Sequence, residues 1–75
     1  MDRRDLDDER ADALSRLFAL LTARLEDVST LAAEGQGRRS GAELRDIARR
    51  IHDFANDCAT ITAAVTALLD TRNSA

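Results

Sequence analysis

The hydrophobic positions in the second half of the chain repeat every seven residues. The a positions of this repeat are Leu44, Ile51, Cys58 and Val65, and the d positions are Ile47, Phe54, Ile61 and Leu68. No charged residue falls on either position. Such a repeat is typical of helices that pack side by side with a left-handed twist. The pattern predicts a helix over about 41–71.

The first half of the chain carries the same repeat in a looser form. Its a and d positions hold Leu14, Leu17, Leu21, Val28 and Leu31. Arg10 and Arg24 occupy two further d positions and interrupt the apolar row. We predict a helix over about 4–34, because this stretch contains neither glycine nor proline.

The only break between the two helical patterns lies at 35–40, and all three glycines fall between positions 35 and 41. Gly35 suits a left-handed cap at the end of the first helix. Ser40 and Glu43 have the spacing of a capping box, which predicts that the second helix begins near Gly41. A hinge this short folds the helices antiparallel. We therefore expect one all-α domain over 1–75, a two-helix antiparallel hairpin.

Each helix has an apolar face three positions wide, because the e positions are also apolar or small. They hold Phe18, Leu25 and Ala32 in the first helix, and Ala48, Ala55, Thr62 and Leu69 in the second. A face this wide suits a bundle of four helices, so we predict a homodimer of hairpins. The predicted interface comprises Leu17, Leu21, Cys58, Ile61, Ala64, Val65 and Leu68. The alternative is an exposed surface of alanine and threonine, which helices tolerate.

Composition narrows the function. The chain has 75 residues, a net charge of −3 and a pI of about 5.0. An acidic balance argues against nucleic-acid or anionic-membrane binding, which need a basic surface. One histidine and one cysteine make a metal site within one chain unlikely and exclude an internal disulfide. We expect a cytoplasmic protein with no cofactor, no enzymatic activity, and another protein as partner.

One stretch of the second helix could carry chemistry. His52 is followed by Asp53 and, four residues on, by Asn56, which shares its helix face. Imidazole titrates near neutrality and can act as a nucleophile, and a neighbouring carboxylate can take its proton.

The segment His52-Asp53-Phe54-Ala55-Asn56, with the aliphatic helix after it, resembles the H-box of sensor histidine kinases. The resemblance covers about 51–69. It implies a dimeric helical hairpin in which His52 accepts a phosphoryl group, Asp53 acts as base or orienter, and Asn56 helps phosphatase chemistry. The chain has no Gly-rich nucleotide box, so it would be a phosphoacceptor or a module that docks to receiver domains. The alternative is that His52 is an ordinary surface residue.

The hinge end is basic and the opposite end is acidic. Residues 35–50 carry a net charge of +3 and residues 1–12 carry −3. Arg38, Arg39, Arg45 and Arg49 could bind an anion or an acidic partner, or could form ion pairs along the helix. The architecture also looks like the Rop-type plasmid copy-control proteins, although the acidic start of the first helix disfavours their RNA-binding role.

These patterns leave two hypotheses. The first is a non-enzymatic helical interaction or regulatory module that acts as a homodimer. The second is a histidine phosphotransfer or receiver-docking module that uses His52.

Overall fold

Two helices form an antiparallel hairpin. The structure, a computed structural model, describes the backbone of residues 3–70 and the side chains of residues 7–70. Helix α1 is Arg3–Gly35 and helix α2 is Gly41–Asp70. The all-α hairpin is confirmed, and the helix ends lie within one residue of those expected, except that position 71 lies outside the described residues. The hairpin measures 58 × 18 × 13 Å.

The start of α2 is held by the predicted capping box. The amide of Glu43 donates to the Ser40 hydroxyl at 3.1 Å, and the amide of Ser40 donates to the Glu43 carboxylate at 3.3 Å. The hydrogen bond from the Ser40 backbone is the main reason that the pKa of Glu43 lies below its ordinary value. The box satisfies amides that a helix start leaves without partners, which sets the beginning of α2.

The end of α1 differs from the prediction, because Gly35 does not adopt the left-handed conformation. It remains helical, and the turn closes through hydrogen bonds from Gln36 to the Ala33 carbonyl at 3.1 Å and from Gly37 to the Glu34 carbonyl at 3.2 Å. Arg39 also donates to the Glu34 carbonyl, at 3.2 Å. These donors satisfy the last carbonyls of α1, so no left-handed residue is required.

The core is a single seam between the helices. Its buried side chains are Leu31, Ile47, Ile61 and Val65, which are 5%, 8%, 7% and 7% exposed. The remaining a and d side chains of the seam are half-buried, including Leu14, Leu17, Leu21, Val28, Ile51, Phe54, Cys58 and Leu68. Leu44 is an exception, because it is 41% exposed although it occupies an a position. The seam therefore starts at Ile47, where Gly35 faces α2 across the hairpin.

Arg24, which interrupts the apolar row of α1, is accommodated by an ion pair. Its guanidinium lies 3.5 Å from the carboxylate of Asp57 on α2. The Arg24 side chain is 34% exposed, so its charged end reaches solvent while its stem covers the seam. The interruption therefore adds a polar contact between the helices and leaves the seam continuous.

Candidate functional site

The e positions of both helices lie along the same side of the hairpin. In an antiparallel pair of helices the e rows flank the seam together, and the g rows flank it on the opposite side. The structure shows this pairing at the end far from the hinge, where Ala11 and Leu69 line one shallow depression together with Leu14 and the charged residues Asp7 and Arg10. We call the paired e rows the apolar side: Ala11, Phe18, Leu25 and Ala32 of α1, with Ala48, Ala55, Thr62 and Leu69 of α2.

The apolar side exposes large hydrophobic side chains to solvent. Phe18, Leu25 and Leu69 are each 52% exposed, although the sequence pattern places them in the hydrophobic face. No charged residue lies among the eight residues of this side. Exposed apolar surface of this kind on a small protein is a candidate interaction site.

Two threonine hydroxyls, one on the apolar side and one beside it, are hydrogen-bonded within their own helix. Thr62 donates to the carbonyls of Cys58 at 3.0 Å and Ala59 at 2.9 Å. Thr22, one position further around α1, donates to the Phe18 carbonyl at 2.9 Å. Because their hydroxyls have partners, covering these residues with another apolar surface leaves no unsatisfied donor.

The opposite side of the hairpin is charged. We call the paired g rows the charged side: Ala13, Leu20, Asp27 and Glu34 of α1, with Glu43, Arg50, Asp57 and Ala64 of α2. Asp27, Glu34 and Arg50 line one shallow groove there, and Leu20 and Asp57 line another. Charges of both signs suit this side to water.

The residues predicted for the dimer interface lie mostly in the seam of one hairpin. Ile61 and Val65 are buried between α1 and α2, and Leu17, Leu21, Cys58, Ala64 and Leu68 are half-buried. A second chain would therefore meet these side chains only from their outer edge. The surface left for it is the apolar side next to them. The sequence shows that the e positions are apolar or small. The antiparallel register then places the e rows of both helices on the same side.

The H-box residues do not form a single hydrogen-bonded set. His52 is exposed, and its Nδ1 lies 3.4 Å from the side-chain nitrogen of Asn56. That contact is a hydrogen bond from Asn56 when the imidazole carries its proton on Nε2. The Asp53 carboxylate lies 3.5 Å from Arg49, an ion pair that the sequence spacing predicts. The structure therefore brings Asn56, and not Asp53, to His52.

Two of the four arginines near the hinge are held by acids. Arg39 lies 3.5 Å from Glu43. Arg49 lies 2.6 Å from Asp46, and that hydrogen bond raises the pKa of Arg49. Arg38 and Arg45 form no ion pair within residues 7–70. The basic end is thus a partly neutralised patch.

The part of the chain that the structure describes has neither a metal-binding cluster nor a helix that could span a membrane. No group of three histidine, cysteine or carboxylate side chains there is placed to hold a metal ion. Neither α1 nor α2, over the described residues, has the length and apolar character needed to cross a membrane.

Comparison with known proteins gives no relative from which a role could be transferred. No protein family model matches the chain. No curated protein and no solved structure matches it either. The functional argument therefore depends on the surface of the hairpin.

Proposed function

We propose that this protein is a small, non-enzymatic helical interaction module with a regulatory role, and that it acts as a homodimer. In this proposal two hairpins pack through their apolar sides into a four-helix bundle. The observation that carries it is the exposure of Phe18, Leu25 and Leu69 on a side without charge. A hairpin with four buried core side chains gains stability by covering such a strip.

The size of the apolar side supports a second copy as its cover. From Ala11 to Ala32 the strip extends about 32 Å at the rise of an α-helix. With the 18 Å width of the hairpin, the whole face that contains the strip has a footprint of roughly 570 Å² per chain at that rise, or roughly 1,100 Å² for two copies. Two such faces in full contact are of the size, ~1,000 Å² of buried surface, at which specific interfaces begin.

Two exposed leucines on opposite sides of α1 provide a matched test. Leu25 lies on the apolar side and Leu20 on the charged side, and they are 52% and 41% exposed. Leu25→Glu is expected to raise the dimer dissociation constant at least ~100-fold, because a carboxylate would be buried without a partner. Leu20→Glu is expected to leave it within about threefold, since this position stays in water.

The measurement is sedimentation equilibrium of the wild type and both variants, with circular dichroism to confirm that each is helical. A monomeric wild type at ~100 µM would overturn the homodimer. A dimer that is weakened equally by both substitutions would overturn the apolar side as its interface.

The dimer leaves the charged side free to bind another protein. Arg38 and Arg45, which form no ion pair within residues 7–70, give the hinge end charge for an acidic surface. The half-buried free thiol of Cys58 fits a reducing compartment, so we place the module in the cytoplasm.

A second candidate function is histidine phosphotransfer, favoured by the exposed imidazole of His52 and its contact with Asn56. Exposure lets a receiver domain reach the ring. With Asn56 donating to Nδ1, the proton of the neutral ring is on Nε2. Attack on a phosphoryl donor through Nε2 requires the other tautomer, in which Nδ1 carries the proton and no longer accepts from Asn56. Asp53 would need to leave Arg49 before it could serve as base.

The test of this candidate uses phosphoramidate, a small phosphoryl donor for histidine, and phosphorus NMR. Phosphotransfer predicts an acid-labile adduct in the wild type that is absent in His52→Gln and reduced in Asp53→Asn. A control variant, Asp70→Asn at the far end of α2, keeps the adduct. An unmodified wild type would retire this candidate and leave the interaction module.

A further inference from the structure

We propose that the second copy docks antiparallel to the first, so that the hinge of each hairpin lies beside the helix termini of its partner. This inference rests on the proposed homodimer and adds the orientation of the partner. The partner surface is thus the apolar side of another copy, turned end over end. The inference comes from the placement of charge along the hairpin.

Two symmetric arrangements cover the apolar side equally well. The four e residues of α1 are centred near position 21 and those of α2 near position 58, and these centres lie at the same height of the hairpin. A two-fold axis along the bundle places hinge beside hinge, with α1 against α2 of the partner. A two-fold axis across the bundle places hinge beside termini, with like helices in contact. The apolar area alone does not separate these two arrangements.

The charge of the two ends separates them. The hinge end, residues 35–50, carries +3, and residues 7–12 at the other end carry −3. Hinge-beside-hinge packing sets +3 against +3 and −3 against −3 on neighbouring helices about 10 Å apart, a separation shorter than the Debye length at low ionic strength. The end-over-end arrangement sets each basic end against an acidic end. Electrostatics therefore favours the antiparallel dimer.

A distance between two spin labels distinguishes the arrangements. We would place a cysteine at Gln36, which is exposed in the hinge, in a Cys58→Ala background, and measure the interspin distance in the dimer. The antiparallel dimer predicts about 45 Å, from the 1.5 Å rise per residue over the two half-lengths. Hinge-beside-hinge packing predicts about 20 Å, set by the bundle width.

The matched control is Thr60→Cys, an exposed position near mid-height, labelled in the same background. Both arrangements predict a short distance there, so the control reports whether a dimer exists. A short control distance with a long Gln36→Cys distance supports the proposal. Short distances at both positions overturn the orientation alone. No coupling at either position overturns the homodimer together with it.

Salt dependence gives an independent readout of the same proposal. If opposite charges meet at the ends, raising the ionic strength from about 50 to 500 mM is expected to raise the dissociation constant about three- to tenfold. Hinge-beside-hinge packing predicts a lower dissociation constant over the same range. An unchanged or lower value would overturn the electrostatic basis of the antiparallel dimer.

Discussion

The two sides of this hairpin are built on the same helices and have opposite character. The charged side brings Asp27, Glu34 and Arg50 around one shallow groove, and the Arg24–Asp57 ion pair crosses it. The apolar side has no charge and exposes Phe18 and Leu25. The same heptad register therefore gives the two sides of the seam different surface chemistry. The charged side is suited to contact with water, whereas the apolar side exposes hydrophobic surface that a partner could bury.

The largest expected loss of stability comes from a substitution in the seam, because the seam positions both sides of the hairpin. Ile61 is 7% exposed and lies in the seam between α1 and α2. Ile61→Ala is therefore expected to lower the free energy of unfolding by about 2–4 kcal/mol. Leu44→Ala is the matched control, because Leu44 has a heptad position of the same kind but is 41% exposed. We expect it to cost less than about 1 kcal/mol. Urea denaturation measures both, and equal losses would contradict the observed start of the seam at Ile47.

Truncating one leucine on each side tests the proposed interface. Which of the two substitutions, Leu25→Ala or Leu20→Ala, costs more stability depends on whether the dimer forms. Leu25 is more exposed than Leu20 in a single hairpin, so Leu25→Ala would be the milder change in a monomer. In the proposed dimer Leu25 becomes buried, and Leu25→Ala is expected to cost about 2 kcal/mol per chain, more than Leu20→Ala. Thermal unfolding at two protein concentrations reads this out, and the milder effect at Leu25 would contradict the proposed interface.

Arg24 tests how much the charged side depends on its ion pair with Asp57. The pair is partly solvated, so its net contribution to stability is small. Arg24→Leu completes the apolar row of α1 and is expected to raise the unfolding free energy by about 1 kcal/mol. Asp57→Ala is expected to change it by less than about 0.5 kcal/mol. A large loss in either variant would show that the ion pair stabilises the hairpin more than its exposure suggests.

A substitution at the end of α1, next to the hinge, is expected to change the stability of the hairpin by a smaller amount. Gly35 has no positive φ, and a Cβ there would lie 3.8 Å from Ile47, an ordinary contact. Gly35→Ala is therefore expected to stabilise the hairpin by about 0.5–1 kcal/mol through helix propensity. A left-handed Gly35 would give the opposite sign. Urea denaturation with Gly41→Ala as comparison, where a Cβ meets nothing within 4 Å, checks the prediction.

The smallest expected effect is the pH dependence of the α2 cap. The folded pKa of Glu43 lies below its ordinary value of 4.5, mainly through the hydrogen bond from the Ser40 backbone. Its contribution is present above pH 4.5 and is lost as the pH falls through the lower folded pKa. Glu43→Gln keeps a cap acceptor without a titrating carboxyl. We expect the melting-temperature advantage of the wild type over this variant to shrink on acidification, and a constant advantage would contradict the linkage.

Much of the fold was predictable from local patterns. The seven-residue repeats predict both helices, and the Ser40–Glu43 box predicts where α2 begins, because its hydrogen bonds join residues three apart. The Gly35 cap was predicted wrongly, since Arg39 and the turn amides reach the last carbonyls of α1 instead. Which groups donate to these carbonyls depends on how the hinge folds back. The residue type at position 35 alone does not determine that.

The candidate site was less predictable, because it depends on which rows share a side. Leu25 and Leu69 lie 44 residues apart in the e rows of different helices. Only the antiparallel register puts them on the same side of the seam. The partners of charged residues show the same limit. Arg49 with Asp53 follows from helix spacing, whereas Asp57 pairs with Arg24 across the hairpin.

By itself, the sequence determined that this protein is helical, where its helices begin and end, and which rows of each helix are apolar. These properties follow from interactions within a few turns of one helix. The tertiary structure adds that the e rows of both helices remain exposed and lie on the same side of the seam. Burial against a partner helix reaches only the rows that face it, so the side that remains uncovered is a property of packing.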